Sequence, residues 1–144
     1  MTSQDAFWDA SALVPLCAGQ RTTPQVTALS YRYDVVIWWA TPVEIAAVLA
    51  RLARMKLLDS SQVSTARGLA NRLAESWLVI TPSDALRMRA TQIVGRYDLR
   101  AGDSLQLAAA LEWCKDAPQG RVFLAADKRL REAALLSGFD APQI

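Results

Sequence analysis

The chain has 144 residues, 52% hydrophobic and 21% charged, a balance that suits a packed core and excludes a disordered chain. Its net charge of +2 is too small to argue for a nucleic-acid or membrane surface by itself. It contains no histidine, which removes Ser-His-Asp and Cys-His catalysis and every imidazole metal ligand, so enzyme chemistry here must rest on carboxylates.

One domain over residues 1–144 is expected at this length. Met1 to Asp5 lacks the basic start and apolar stretch of a secretory signal, so the cytoplasm is the expected location. No apolar run approaches the roughly 20 residues that cross a bilayer, and no membrane partner is expected. Phe7-Trp8 belongs to a short apolar run that ends at Asp9, and Ser11 to Cys17 follows as a short helix closed by Gly19. Thr23-Pro24 reads as a cap and a first-turn proline for a helix to about Arg32. Val35 to Ala40 is a β-branched and aromatic run without a polar residue, the pattern of a strand covered on both faces. Trp38 and Trp39 project to opposite sides of it, so at least one is core. A helix from Thr41-Pro42 to about Leu58 and a second after Asp59-Ser60-Ser61 come next, then a short buried strand, Trp77 to Ile80. Thr81-Pro82-Ser83-Asp84 opens a helix to about Arg96, and Gly102-Asp103 heads an amphipathic helix to Cys114. After a turn at Pro118-Gln119-Gly120, Val122 to Ala125 is the last strand, and Lys128 to Ser137 the last helix, stopped by Gly138. Strands alternating with helices imply parallel crossovers and a sheet flanked by helices. Cys17 and Cys114 form no CxxC pair and are expected to be free buried thiols.

Asp9, Glu44 and Asp127 each stand just after an apolar strand, where a parallel sheet gathers its strand ends along one edge. Asp103 lies at the head of its helix, on the side of the stripe Leu107, Ala110, Leu111 and Cys114. Each acid also has a purely structural use. Asp9 and Asp127 can cap the helices that follow, Glu44 completes a Thr-x-x-Glu capping box with Thr41, and Asp103 suits the helix dipole. Their convergence is what a cap does not explain. Clustered carboxylates repel one another and protonate unless a cation neutralises them. Without histidine, that cation should be Mg²⁺ or Mn²⁺, able to activate a water for attack on a phosphodiester. Neither GxGxxG nor GxxxxGK[ST] occurs, so a nucleotide-binding loop is not expected.

The segments Asp9-Ala-Ser-Ala-Leu-Val, Pro42-Val-Glu44-Ile-Ala, Asp103-Ser-Leu-Gln-Leu-Ala-Ala-Ala and Leu124-Ala-Ala-Asp127-Lys-Arg-Leu together resemble the four acidic motifs of PIN-domain ribonucleases, in order and spacing across nearly the whole chain. The length is similar to that of the VapC toxins of type II toxin–antitoxin pairs. The resemblance implies a three-layer α/β/α domain with a central, mainly parallel sheet of four or five strands. It implies Mg²⁺ or Mn²⁺ held by the catalytic acids Asp9, Glu44, Asp103 and Asp127, with Ser11 as a supporting hydroxyl. It further implies RNA cleavage, a homodimer, and inhibition by a VapB-type antitoxin. The family pattern carries Ser or Thr two residues before the fourth acid, where this chain has Ala125. That departure leaves room for an alternative, a catalytically weak or inactive module that binds RNA or protein. Arg100, Lys128 and Arg129 flank the third and fourth acids as candidates for RNA-phosphate contacts, with Arg131 beside them. A DNA-directed nuclease would use the same chemistry.

Overall fold

A computed structural model describes residues 4–144; Met1 to Ser3, part of the stretch read above for a signal, lie outside the described residues. In chain order the elements are β1 (Gln4–Trp8), α1 (Ala10–Cys17), α2 (Thr23–Arg32), β2 (Tyr33–Trp38), α3 (Thr41–Arg54) and α4 (Ser60–Ala74). They continue with β3 (Leu78–Ile80), α5 (Asp84–Arg96), α6 (Ala101–Trp113), β4 (Val122–Leu124) and α7 (Lys128–Ser137). The strands form one parallel sheet in the order β3-β2-β1-β4, with Phe7 opposite Val36 on one side and Phe123 on the other.

Alternation along each strand divides the core in two. Phe7, Val36, Trp38 and Phe123 point to the side covered by α5, α6 and α7, where Phe7 stacks on Phe123 at 5.4 Å. Ala6, Trp8, Ile37 and Leu124 point to the opposite side, beneath α1, α2, α3 and α4. Burial on both faces is why Ala6 to Trp8 of β1 and Val36 to Trp38 of β2 read as unbroken apolar runs. Three layers result, with four strands among the described residues, within the expected four or five. A parallel bridge between Val122 and Asp140 extends the pairing beyond α7.

Several boundaries differ from the sequence-based expectation. α3 ends at Arg54 rather than Leu58, because Lys56 adopts a left-handed backbone with φ of 60°. β3 is not buried: it sits at the sheet edge, paired with β2, and Leu78 and Val79 are exposed. β2 stops at Trp38, and Trp39-Ala40 turns directly into α3. α6 is not amphipathic over its middle, since Ser104 and every residue from Gln106 to Ala110 is buried. Its alanines let α5, α7 and the sheet close around it. α7 does end at Gly138, whose φ of 107° lets its N–H reach the carbonyls of Ala134 and Leu135. A Cβ there would stand 3.1 Å from Cγ of Pro118, so the position favours glycine twice over. Both cysteines are free and buried.

Candidate active site

The carboxyl ends of β1 and β4 meet at Asp9. Its N–H donates to the carbonyl of Leu124 at 2.9 Å, tying the tip of one strand to the next. The Asp9 carboxylate is only 5% exposed. Its Oδ2 accepts from the Ser11 N–H at 3.1 Å and from the Ser11 hydroxyl at 2.6 Å, so it caps α1 as well. Ser11 Oγ accepts in turn from the N–H of Ala126 at 2.9 Å and of Asp127 at 3.4 Å. One hydroxyl thus fixes the first acid and the backbone that carries the fourth. Asp127 caps α7 through Leu130 N–H, 2.9 Å from its Oδ1, and is exposed. A hydroxyl at position 125 would lie in the core, since Ala125 is 1% exposed; the loop after it is bonded by Ser11 instead.

Glu44 does not form the expected capping box. α3 begins with Ala40 as its cap and no side-chain bond there. Glu44 reaches across to α6 instead, where its Oε2 accepts from Gln106 Nε2 at 2.7 Å. Asp103 is half-buried in the first turn of α6, less deeply placed than its helical spacing suggested. All four acids, together with Ser11, line one cleft of about 560 Å³.

Three of the acids are held above the ordinary carboxylate range, by burial first and by one another's charge second. Burial lifts Asp9 above the usual carboxylate range, against the hydrogen bonds from Ser11, and the charge of Asp127 adds to the rise. Burial likewise pushes Glu44 up to about 7, opposed by Gln106 and reinforced by Asp9 and Asp103. Asp103 rises to about 6 through burial, then through Asp127 and Asp9, with Arg100 pulling the other way.

A hard cation fits this donor set, which is all carboxylate oxygen and crowded enough to hold protons near neutral pH. Among the described residues, no three acidic, thiol or imidazole groups are gathered tightly enough to hold a metal ion directly. The fit is therefore to an ion that keeps much of its water and takes one or two carboxylates, as Mg²⁺ does.

Arg100, Lys128 and Arg129 line the same cleft. Arg129 also pairs with Asp98 at 3.3 Å, an exposed contact of small energetic weight. Arg131 does not reach the cleft: its Nε donates to the carbonyl of Ala141 at 2.8 Å. Sequence reasoning missed Arg51, which lines the wall formed by α3. The signal was present, since Glu44, Val48 and Arg51 follow helical spacing on one face. It also missed Gln106, for which adjacency in sequence offers no clue. Trp38 is buried and Trp39 59% exposed, but neither lines the acidic cleft. The exposed flank of α3 at Pro42 and Val43 borders a separate apolar hollow of about 350 Å³ against α4.

No family model and no curated protein matches the sequence. Solved structures match it in fold. The sarcin-ricin loop cleaving toxin VapC20 of Mycobacterium tuberculosis superposes with a TM-score of 0.68 at 18% identity, over 97% of this chain and 100% of that one. A toxin–antitoxin complex from Klebsiella pneumoniae gives 0.63 at 17% identity, over 97% and 100% of the two chains. FitAcB from Neisseria gonorrhoeae gives 0.61 at 17% identity, over 94% and 96%. At such identities the likeness is one of fold. The chain has a PIN-like α/β/α fold.

Proposed function

We propose that this protein is a Mg²⁺- or Mn²⁺-dependent endoribonuclease, a growth-inhibiting cytoplasmic toxin that forms a homodimer and is neutralised by a VapB-type antitoxin. The observation that carries the proposal is the gathering of Asp9, Glu44, Asp103 and Asp127 in one cleft rimmed by arginine and lysine. The solved toxins of the same fold support the biological setting. Asp9, Glu44, Asp103 and Asp127 would hold the ion together, one or two of them directly and the others through its water. When bound, it supplies charge neutralisation, a more acidic water and stabilisation of the leaving oxygen. Asp9 is kept in place by Ser11, and Asp127 by the same hydroxyl through its backbone. Arg51 stands on the α3 wall, while Arg100, Lys128 and Arg129 come from the segment before α6 and from α7, so phosphates can be gripped from two sides. No helix among the described residues is long and apolar enough to cross a membrane.

A catalytically weak module is the alternative that Ala125 raised. Ser11 speaks against it, since it already bonds the loop before Asp127.

The test is direct. Purified protein free of antitoxin should cut RNA in the presence of Mn²⁺, stop on addition of EDTA, and leave DNA of the same sequence intact. Absence of cleavage across total cellular RNA, with a folded sample, removes the nuclease assignment, and cleavage of DNA alone removes the RNA assignment. Arg51→Ala should weaken RNA binding uniformly across sequences and lower the slope of log affinity against log salt by about 1, as a single phosphate contact does. An unchanged slope in a filter-binding titration would take Arg51 out of the RNA path.

A further inference from the structure

We propose that Gln106 is a positioning residue that aims Glu44 into the acidic cleft, with Thr41 orienting the amide that does so. Its effect on cleavage rests on the nuclease assignment above; the contact itself does not.

Gln106 is fully buried, between Leu105 and Leu107 on a helix otherwise rich in alanine. A buried amide is harder to accommodate than an apolar side chain of equal volume, so packing does not account for it. Its Nε2 has two hydrogens and two acceptors: Thr41 Oγ1 at 3.0 Å and Glu44 Oε2 at 2.7 Å. Its Oε1 is buried and finds no partner. Reversing the amide would set Oε1 against the carboxylate oxygen, so the orientation that leaves Oε1 unpartnered is the one Glu44 requires. Thr41, also fully buried, gives the second hydrogen its acceptor and keeps the amide from turning.

α6 also meets the other oxygen of Glu44. A Cβ built on Gly102 would lie 3.5 Å from Glu44 Oε1, so this oxygen stands over bare backbone. Gly102 and Gln106 are one turn apart on α6, with Asp103 next to the first of them. The same helix that carries the third acid therefore holds the second by one oxygen, through the Gln106 donor, and presents only glycine to the other. With the Thr41 capping box unformed, Glu44 is free to make this crossing.

Gln106→Leu keeps the volume and removes the donor. In the full chain, free of antitoxin, this variant should stay folded and bind Mn²⁺ about 10-fold or more weakly by calorimetric titration, the usual effect of losing a partner that orients a metal-binding side chain. RNA cleavage should lose a comparable factor in kcat while KM stays near the wild-type value, because phosphates are gripped by other residues. A space-filling role would move neither. The metal-free readout is the carboxyl ¹³C resonance of Glu44, assigned by its disappearance in Glu44→Gln, which should shift in Gln106→Leu. If that variant does not fold, Thr41→Val removes only the orienting acceptor and should shift the same resonance in the same direction. A resonance that does not move, or Mn²⁺ affinity within twofold of wild type in a folded variant, overturns the proposal. A shifted resonance in a protein whose wild type neither binds Mn²⁺ nor cuts RNA sustains the positioning role and sinks the nuclease assignment alone.

Discussion

Asp9→Asn should lose more than ~100-fold of Mn²⁺-dependent cleavage, beyond what an orienting neighbour contributes, while its melting temperature holds or rises. The two halves of that outcome come from the same geometry. Asp9 caps α1, and Asn is an equally good cap, so its amide oxygen can still accept from Ser11. The buried carboxylate is held above its usual range by burial and by Asp127, so its charged form is disfavoured in the folded chain. A neutral amide removes that penalty. What it cannot supply is the negative charge, or the second oxygen, that a hard cation takes from a carboxylate. Calorimetry and a cleavage assay on the same sample decide the matter. Full cleavage by a folded variant would dismiss the acidic cleft as the active site. Collapse of the fold would make Asp9 chiefly a structural cap.

Such a gain in stability with loss of activity is typical of sites that gather like charges at the expense of the fold. It also explains why so much of this cleft was legible in the sequence. The buried ends of the parallel strands carry no polar residue, so Asp9 is conspicuous where the run Phe7-Trp8 ends, and Asp127 stands out soon after Val122 to Ala125. Both are caps as well as cleft residues, and neither use excluded the other. Glu44 misled for a physical reason. Its Thr-x-x-Glu spacing is that of a capping box, but Gln106, far away in sequence, competes for the carboxylate and wins. No local pattern announces such a partner. α6 misled because an amphipathic stripe and an all-round buried helix look alike when the outer face is alanine. The run at β3 is apolar whether it lies inside a sheet or at its edge, and only the strand order decides which. Arg51 could have been found by extending the period of α3 past Glu44 and Val48.

Between pH 5.5 and 7.5, Mn²⁺ affinity should rise by about a hundredfold, since each carboxyl that must lose a proton adds up to tenfold per pH unit below its own pKa. Glu44 at about 7 and Asp103 at about 6 are the groups concerned. Stability without metal should run the other way. In the unfolded chain these carboxyls lose their protons near their ordinary values of 4.5 and 3.8. In the folded chain they keep them to higher pH. Over that interval the folded state binds more protons than the unfolded state, so stability is greatest at its acid end and falls as pH rises through 6 and 7. Water reaches both groups, which limits the loss from pH 5 to pH 8 to about 1 to 2 kcal/mol, or ~3 to 6 °C in melting temperature. Saturating Mn²⁺ should reverse the slope, because a cation bound among the acids favours their charged forms. Melting curves at a series of pH values, with Mn²⁺ and with EDTA, measure both slopes at once. Parallel slopes would mean that Glu44 and Asp103 do not share a cation, however close they stand.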